Sequence, residues 1–252
     1  MNLIGTILVY AALVALFIGT VSVVRPLRYL GIASRPLGLV VFLCGVAVFL
    51  IAVNLPAGEK KIALRRSHLD DFVPAYQFSE FHSIRINAPR QTVFKAIQEV
   101  SADEIFLFRT LTWIRRLGQP GPESILNAPS DKPLLEVALR TSFMKLAEAP
   151  DREIVLGTLA AATKATRLKK DPTPADFKAL HAPGFALAAM NFRMEDAGTG
   201  NVLLTTETRV YSTDDSTRRR FAAYWRVIYP GSALIRIMWL RAIRKRAERP
   251  LG

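Results

Sequence analysis

The sequence is poor in the residues that make cross-links and metal sites. It has a single cysteine, Cys44, so no disulfide can close within the chain, and its redox compartment is left open. The three histidines, His68, His82 and His181, stand far apart. They share no ligand spacing with one another or with Cys44, so no metal site and no cofactor are implied. There is no nucleophile elbow, no glycine-rich phosphate loop and no paired-carboxylate motif. No catalytic residue can therefore be named. Asp70-Asp71 and Asp214-Asp215 are adjacent pairs whose side chains are expected to diverge. His68, in a polar stretch beside two aspartates, reads as solvated, and His82 as a satisfied strand histidine.

Charge is missing from two long stretches. Leu3 to Val24 contains no charged residue, and neither does Pro36 to Gly58. About 20 apolar residues are enough to cross the hydrocarbon layer of a bilayer. A cleaved signal peptide would need a basic leading region and a small-residue cleavage site, neither of which precedes Arg25. A buried core helix would rarely be apolar on every side. Residues 1–55 are therefore expected to form a transmembrane helical hairpin, with Gly5, Gly19, Gly38 and Gly45 allowing close helix approach. The loop arginines, Arg25, Arg28 and Arg35, nearly balance the basic flank Lys60, Lys61, Arg65 and Arg66. The terminal amino group tips the count toward a cytoplasmic domain on an inner membrane.

Acidic residues are almost missing from the end of the chain. The formal net charge is +13, but it is unevenly spread. Basic and acidic residues nearly balance from Glu59 to Thr217, whereas from Arg218 onward the basic residues face a lone acid, Glu248. A nucleic-acid-binding domain carries its basic face on the folded body. A neutral body with a basic, aromatic-containing tail instead suits anionic headgroups, with Arg241, Arg244, Lys245, Arg246 and Arg249 at the membrane surface. A solvated helix face is the plainer reading of the same residues.

Residues 56–76 read as a linker with prolines near both ends. Gln77 to Asn87 alternates as a strand, and Pro89 suits the first turn of a helix carrying Val93, Phe94 and Ile97. Ser101 and Glu104 form a capping box that should open a helix running to Gly118. The stretch PLLEVALR after Asp131 fits a short helix or a strand. Two hairpins follow, Thr141–Glu148 with Glu153–Ala160, and FALAAMNFRMED with NVLLTTETRVYST across Ala-Gly-Thr-Gly. Between them lies a polar crossing segment, 162–184, in which Thr173-Pro174 opens a turn of helix. Asp214, Asp215 and Ser216 cap a long last helix, which Pro230 should interrupt or kink.

The run IRINAPRQTVFKAI (Ile84 to Ile97), followed by this order of elements, resembles the START and birch-pollen-allergen superfamily, also called SRPBCC. The likeness covers about residues 77–249 and is motif-like at Ile84–Ile97 alone. It implies an α+β helix-grip domain over 77–249, in which a curved antiparallel sheet wraps a long C-terminal helix around an apolar cavity. Members carry lipids or other hydrophobic small molecules, or cyclise polyketides. The implied function is binding of a lipid-like or other apolar small molecule beside the bilayer. A cyclase- or aromatase-like enzyme using the same cavity, or a scaffold domain with a filled core, are the alternatives. On this reading Met190, Phe192 and Met194, sharing one strand face, are candidate ligand contacts with Trp225 and Ile228 across from them. An aromatic and methionine stripe is also the usual make-up of a plain core. Glu207 and Arg209 share a strand face; they hold a ligand's polar end if that face lines the cavity and form an ion pair if it faces solvent.

Overall fold

The computed structural model describes residues 3–162, 172–198 and 200–249, and they form two compact units. Of the described residues, the first comprises 3–58 and 219–229; the second comprises those within 59–218 and 230–249.

In the first unit the charge-free runs are helices, α1 (Leu3–Val24) and α2 (Arg35–Asn54), each long and apolar enough to cross a membrane. Ser34 caps α2 by accepting from the Leu37 N–H, and Pro36 occupies its first turn, where no N–H is needed. The two helices touch at glycines. A Cβ on Gly19 would lie 2.6 Å from the Phe42 backbone nitrogen, and one on Gly38 2.8 Å from Ser22. Helices without side chains at the crossing can pack backbone to backbone. Away from the crossing their apolar residues are bare, Phe17 at 71% and Ile51 at 63% exposure. Arg226, from a later helix, donates to the Val53 and Leu55 carbonyls at 2.8 and 2.6 Å, satisfying oxygens that the end of α2 leaves unpaired.

The second unit is built on a five-stranded antiparallel sheet. Its short β1 (Lys60–Lys61) and β2 (Ala75–Tyr76) form a separate two-stranded ladder. The sheet proper comprises β3 (Phe78–Ile86), β4 (Met144–Ala149), β5 (Glu153–Ala161), β6 (Ala186–Asp196) and β7 (Val202–Ser212), in the order β3-β7-β6-β5-β4. The helices are α3 (Arg90–Glu99), α4 (Phe108–Arg115), α5 (Leu134–Thr141), α6 (Pro174–Ala179) and α7 (Asp215–Ala247). The α+β class, the two hairpins, the N-terminal helices and the long last helix agree with the sequence reading. Residues 163–171 of the expected crossing segment, and Thr199 of the second hairpin's turn, lie outside the described residues.

Four local expectations come out differently or more sharply. The Ser101–Glu104 capping box forms, but it closes only a 3-10 turn, Ala102–Glu104. Leu107 at φ 59 then separates that turn from α4, since a left-handed residue cannot continue a right-handed helix. The segment open to either reading, 134–141, is helical and buries Leu134, Leu135, Val137 and Ala138. Pro230 does not end the last helix, which is continuous over 33 residues. Finally, 56–76 is more than a tether. Ser67 and Asp70 form a capping box on the turn His68–Asp71, and Leu69 and Val73 are buried.

Alternation along the strands gives the sheet two covered faces. Met190, Phe192, Met194 and Leu204 join Trp239, Leu240 and Ile243 of α7 in one core with α3 and α5. The opposite parity, Val155, Leu187 and Ala189, packs under Leu69, Val73 and Phe177 in a second core. Each large side chain fully removed from water contributes about 1.5–3 kcal/mol, so the segment before β3 is held on by its own apolar residues.

Candidate functional site

The register sets the face that looks toward α7. Ile154, Phe192, Thr206 and His82 are successive partners across β5, β6, β7 and β3. Residues two apart along each strand share that side, which adds Met190 and Met194, Thr208, and Phe78, Glu80 and Ile84. On α7, Ser232, Arg236, Trp239 and Ile243 follow three- and four-residue steps and fall on one stripe. Apolar residues dominate one end of this layer. Polar ones gather at the other.

That polar end is built from β3 and α7. Glu80 is 3% exposed. One of its oxygens lies 2.9 Å from His82 Nε2, and the other accepts from Ser232 Oγ at 3.0 Å. Arg236 Nη2 sits 2.9 Å from the Met190 sulfur, a weak acceptor, and the guanidinium lies 5.3 Å from the centre of the Trp239 ring. Trp239 in turn meets Phe192 edge-on, with ring centres 5.0 Å apart. Burial pulls the Arg236 pKa down; the Glu80 charge opposes this and the Arg115 charge adds to it. Three donors here, Arg236 Nη1, Trp239 Nε1 and Thr206 Oγ1, are buried without a hydrogen-bond partner among the described residues. A buried polar group left unpaired costs about 1–3 kcal/mol, so three together mark the spot.

The residues singled out from the sequence divide among several places. Met190, Phe192 and Met194 lie in this layer and are buried. Glu207 and Arg209 share a face as expected, but it is the opposite one. There Arg209 is held by Glu207 at 2.7 and 3.0 Å, by Asp70 at 2.6 Å and over the Tyr76 ring at 4.9 Å. Burial raises the Asp70 pKa, but the Arg66 N–H, Arg209 and the Ser67 N–H outweigh it and hold the carboxyl below its usual range. Trp225 and Ile228 belong to the first unit, where Trp225 stacks between Phe221 and Tyr229. In the basic tail, Arg241, Arg244 and Lys245 are exposed, while Arg246 and Arg249 reach Glu99 and Glu104.

Glu80, Ser232 and Arg236 escape a search for motifs, and His82 passes as an ordinary strand histidine. A signal was nonetheless present. In β3 the inward parity reads Phe78, Glu80, His82, Ile84, Ile86, and in α7 an arginine interrupts the apolar stripe. Charged residues at core positions are costly, so each break in the pattern points inward to a site.

The second unit also has a concavity of about 570 Å³ lined by Arg65, Arg66, Arg90, Arg152 and Arg193, with Glu153, Glu195 and Asp196 among them. Several of these arginines already have acidic partners: Arg193 with Glu195 at 2.8 Å, Arg65 with Asp71 at 2.5 Å and Arg90 with Asp196 at 3.7 Å. Glu153 accepts from the His68 N–H and from Asn191. This hollow is polar and largely self-neutralised, and lacks the buried, unpaired donors of the layer under α7. No protein-family model matches the chain, and no curated protein matches its sequence.

Proposed function

We propose that this protein is a membrane-anchored binding protein for a lipid-like or other apolar small molecule. On this reading the second unit is a helix-grip domain of the SRPBCC kind, and the ligand lies between its sheet and α7. The observation that carries the reading is the composition of that layer. At its apolar end Phe192 and Leu204 pack with the Trp239 ring. Toward its polar end inward-facing side chains stay partly accessible, with His82 at 17% and Thr208 also incompletely covered. A pocket with apolar walls and a few convergent polar groups is the usual form of a small-molecule site.

The anchor follows from α1 and α2. Bare leucine, valine, isoleucine and phenylalanine side chains on the outside of a helical hairpin are unfavourable in water and suit hydrocarbon. The proposed place is an inner membrane with the second unit toward the cytoplasm, and the exposed basic residues of the tail meet anionic headgroups there.

The test is native mass spectrometry and solvent extraction of the full chain purified in mild detergent. A small apolar molecule should co-purify, and it should be lost in Ala188→Phe, which adds bulk to the α7-facing side of β6. A folded protein that carries nothing and binds no solvatochromic apolar probe would end the carrier reading.

A second reading is favoured by one feature, the Glu80–His82 pair inside the same layer. A histidine oriented by a carboxylate is a common general acid–base device, which would make the protein a cyclase- or aromatase-like enzyme. His82→Gln separates the two readings: ligand retention unchanged supports carriage, and accumulation of an altered ligand supports conversion.

A further inference from the structure

The three unpaired donors belong to one neighbourhood. Thr206 is paired across the sheet with Phe192, whose ring meets Trp239. The Trp239 ring lies beside the Arg236 guanidinium, and Arg236 touches Met190, two residues along β6 from Phe192. A succession of neighbours therefore runs from Thr206 through Phe192 and Trp239 to Arg236. Thr206 and Trp239 are each 2% exposed.

Among the described residues Arg236 has no acidic partner within ion-pair distance. The Glu80 charge acts on it, yet both Glu80 oxygens are engaged, one by His82 and one by Ser232. The guanidinium keeps its charge in any protein environment. A buried cation is costly unless an anion pairs with it, and a sulfur atom is no substitute.

We infer that the ligand carries a carboxylate, received by Arg236 with Trp239 Nε1 and Thr206 Oγ1 as supporting donors. The inference deepens the carrier reading and rests on it. Donor count and type select the class. A guanidinium edge, one indole N–H and one hydroxyl suit the two oxygens of a carboxylate, whereas a phosphate dianion presents three oxygens and more charge than one arginine balances. The apolar end formed by Phe192 and Leu204 then takes the tail, so the ligand class is a long-chain monocarboxylate.

The experiment uses the full chain in amphipol and two probes, cis-parinaric acid and its methyl ester, read by energy transfer from tryptophan. Wild type should bind the acid at least 10-fold more tightly than the ester, about 1.4 kcal/mol. Arg236→Met should lose the preference while keeping the ester's affinity, because it keeps an apolar chain of similar length. Arg236→Lys should keep part of it, since it preserves the charge but loses the planar fork. Equal binding of acid and ester by wild type overturns the carboxylate inference and leaves the carrier reading standing. Binding of neither probe by folded protein overturns both. If Arg236→Met fails to fold, the comparison of acid with ester on wild type still decides the matter.

Discussion

Arg209 Nη1 donates to Asp70 Oδ1 at 2.6 Å, and the two residues are 139 positions apart in the chain. Their side chains are 7% and 3% exposed, so the contact ties the segment before β3 to the middle of β7 in a nearly dry setting. Arg209 also donates to both oxygens of Glu207 and to the Val73 carbonyl, and rests on Tyr76. All three nitrogens of its planar donor fork are used.

Removing one partner of such a network leaves a buried charge behind. Arg209→Ala is expected to destabilise the protein by about 3–5 kcal/mol, with Asp70 and Glu207 left facing each other. Asp70→Asn should cost less, since the Asn side chain keeps an oxygen for the Arg66 and Ser67 N–H groups. Urea unfolding of the detergent-solubilised protein measures both. A loss below 1 kcal/mol for Arg209→Ala would show the network to be dispensable.

The periodicity of the chain was sufficient to place the strands, because each has one parity that must be buried. It could not tell which buried face was which. Both sides of β6 are apolar, Met190 and Phe192 on one and Leu187 and Ala189 on the other, and both sides are covered. Glu207 and Arg209 were therefore legible as neighbours but not as residues of the outer face. The covering element, 56–76, was hidden by composition: its basic, proline-bounded sequence looks like a tether, while Leu69, Val73, the Ser67–Asp70 box and the Asp70–Arg209 pair fix it down. The site under α7 was hidden for the opposite reason, since Glu80, Ser232 and Arg236 are separated in sequence and meet only when β3 and α7 are brought together.

Gly19 should tolerate no side chain. Its hypothetical Cβ falls 2.6 Å from a backbone atom of Phe42, and backbone cannot rotate away as a side chain can. Gly19→Ala is expected to cost about 1–3 kcal/mol by overpacking, seen as a lower melting temperature in detergent. Gly58→Ala, where the added carbon meets nothing within 4 Å, is the matched control and should leave the melting temperature unchanged.

Asp214 caps α7, accepting from the Thr217 N–H and hydroxyl and from the Gly184 N–H at 3.0, 2.7 and 2.6 Å. These bonds hold its pKa at about 2, below the ordinary 3.8. A folded-state pKa below the unfolded one means that stabilisation is full above the unfolded value and is lost as pH falls through the folded one. Acid titration of stability should therefore slope between 3.8 and about 2. Asp214→Ala should remove about 1 kcal/mol at neutral pH and flatten that part of the curve; an unchanged slope would assign it to other carboxylates.

The basic tail should separate into two groups with opposite signatures. Arg246 bonds Glu104 at 2.8 Å and Glu99 at 3.1 Å, and Arg249 lies 3.7 Å from Glu104. These two close the end of α7 onto α3 and the turn after it. Arg241, Arg244 and Lys245 point to solvent and are the ones free to meet headgroups. In a thermal-shift assay of the full chain, phosphatidylserine should stabilise wild type more than phosphatidylcholine does. Changing Arg241, Arg244 and Lys245 together to glutamine should erase that difference, at about 1 kcal/mol per residue, without lowering the lipid-free melting temperature. Arg246→Gln should do the reverse, lowering the lipid-free value and preserving the lipid effect, because its charge is already committed to Glu99 and Glu104. If the triple variant melts early without lipid, those residues serve the fold and not the membrane.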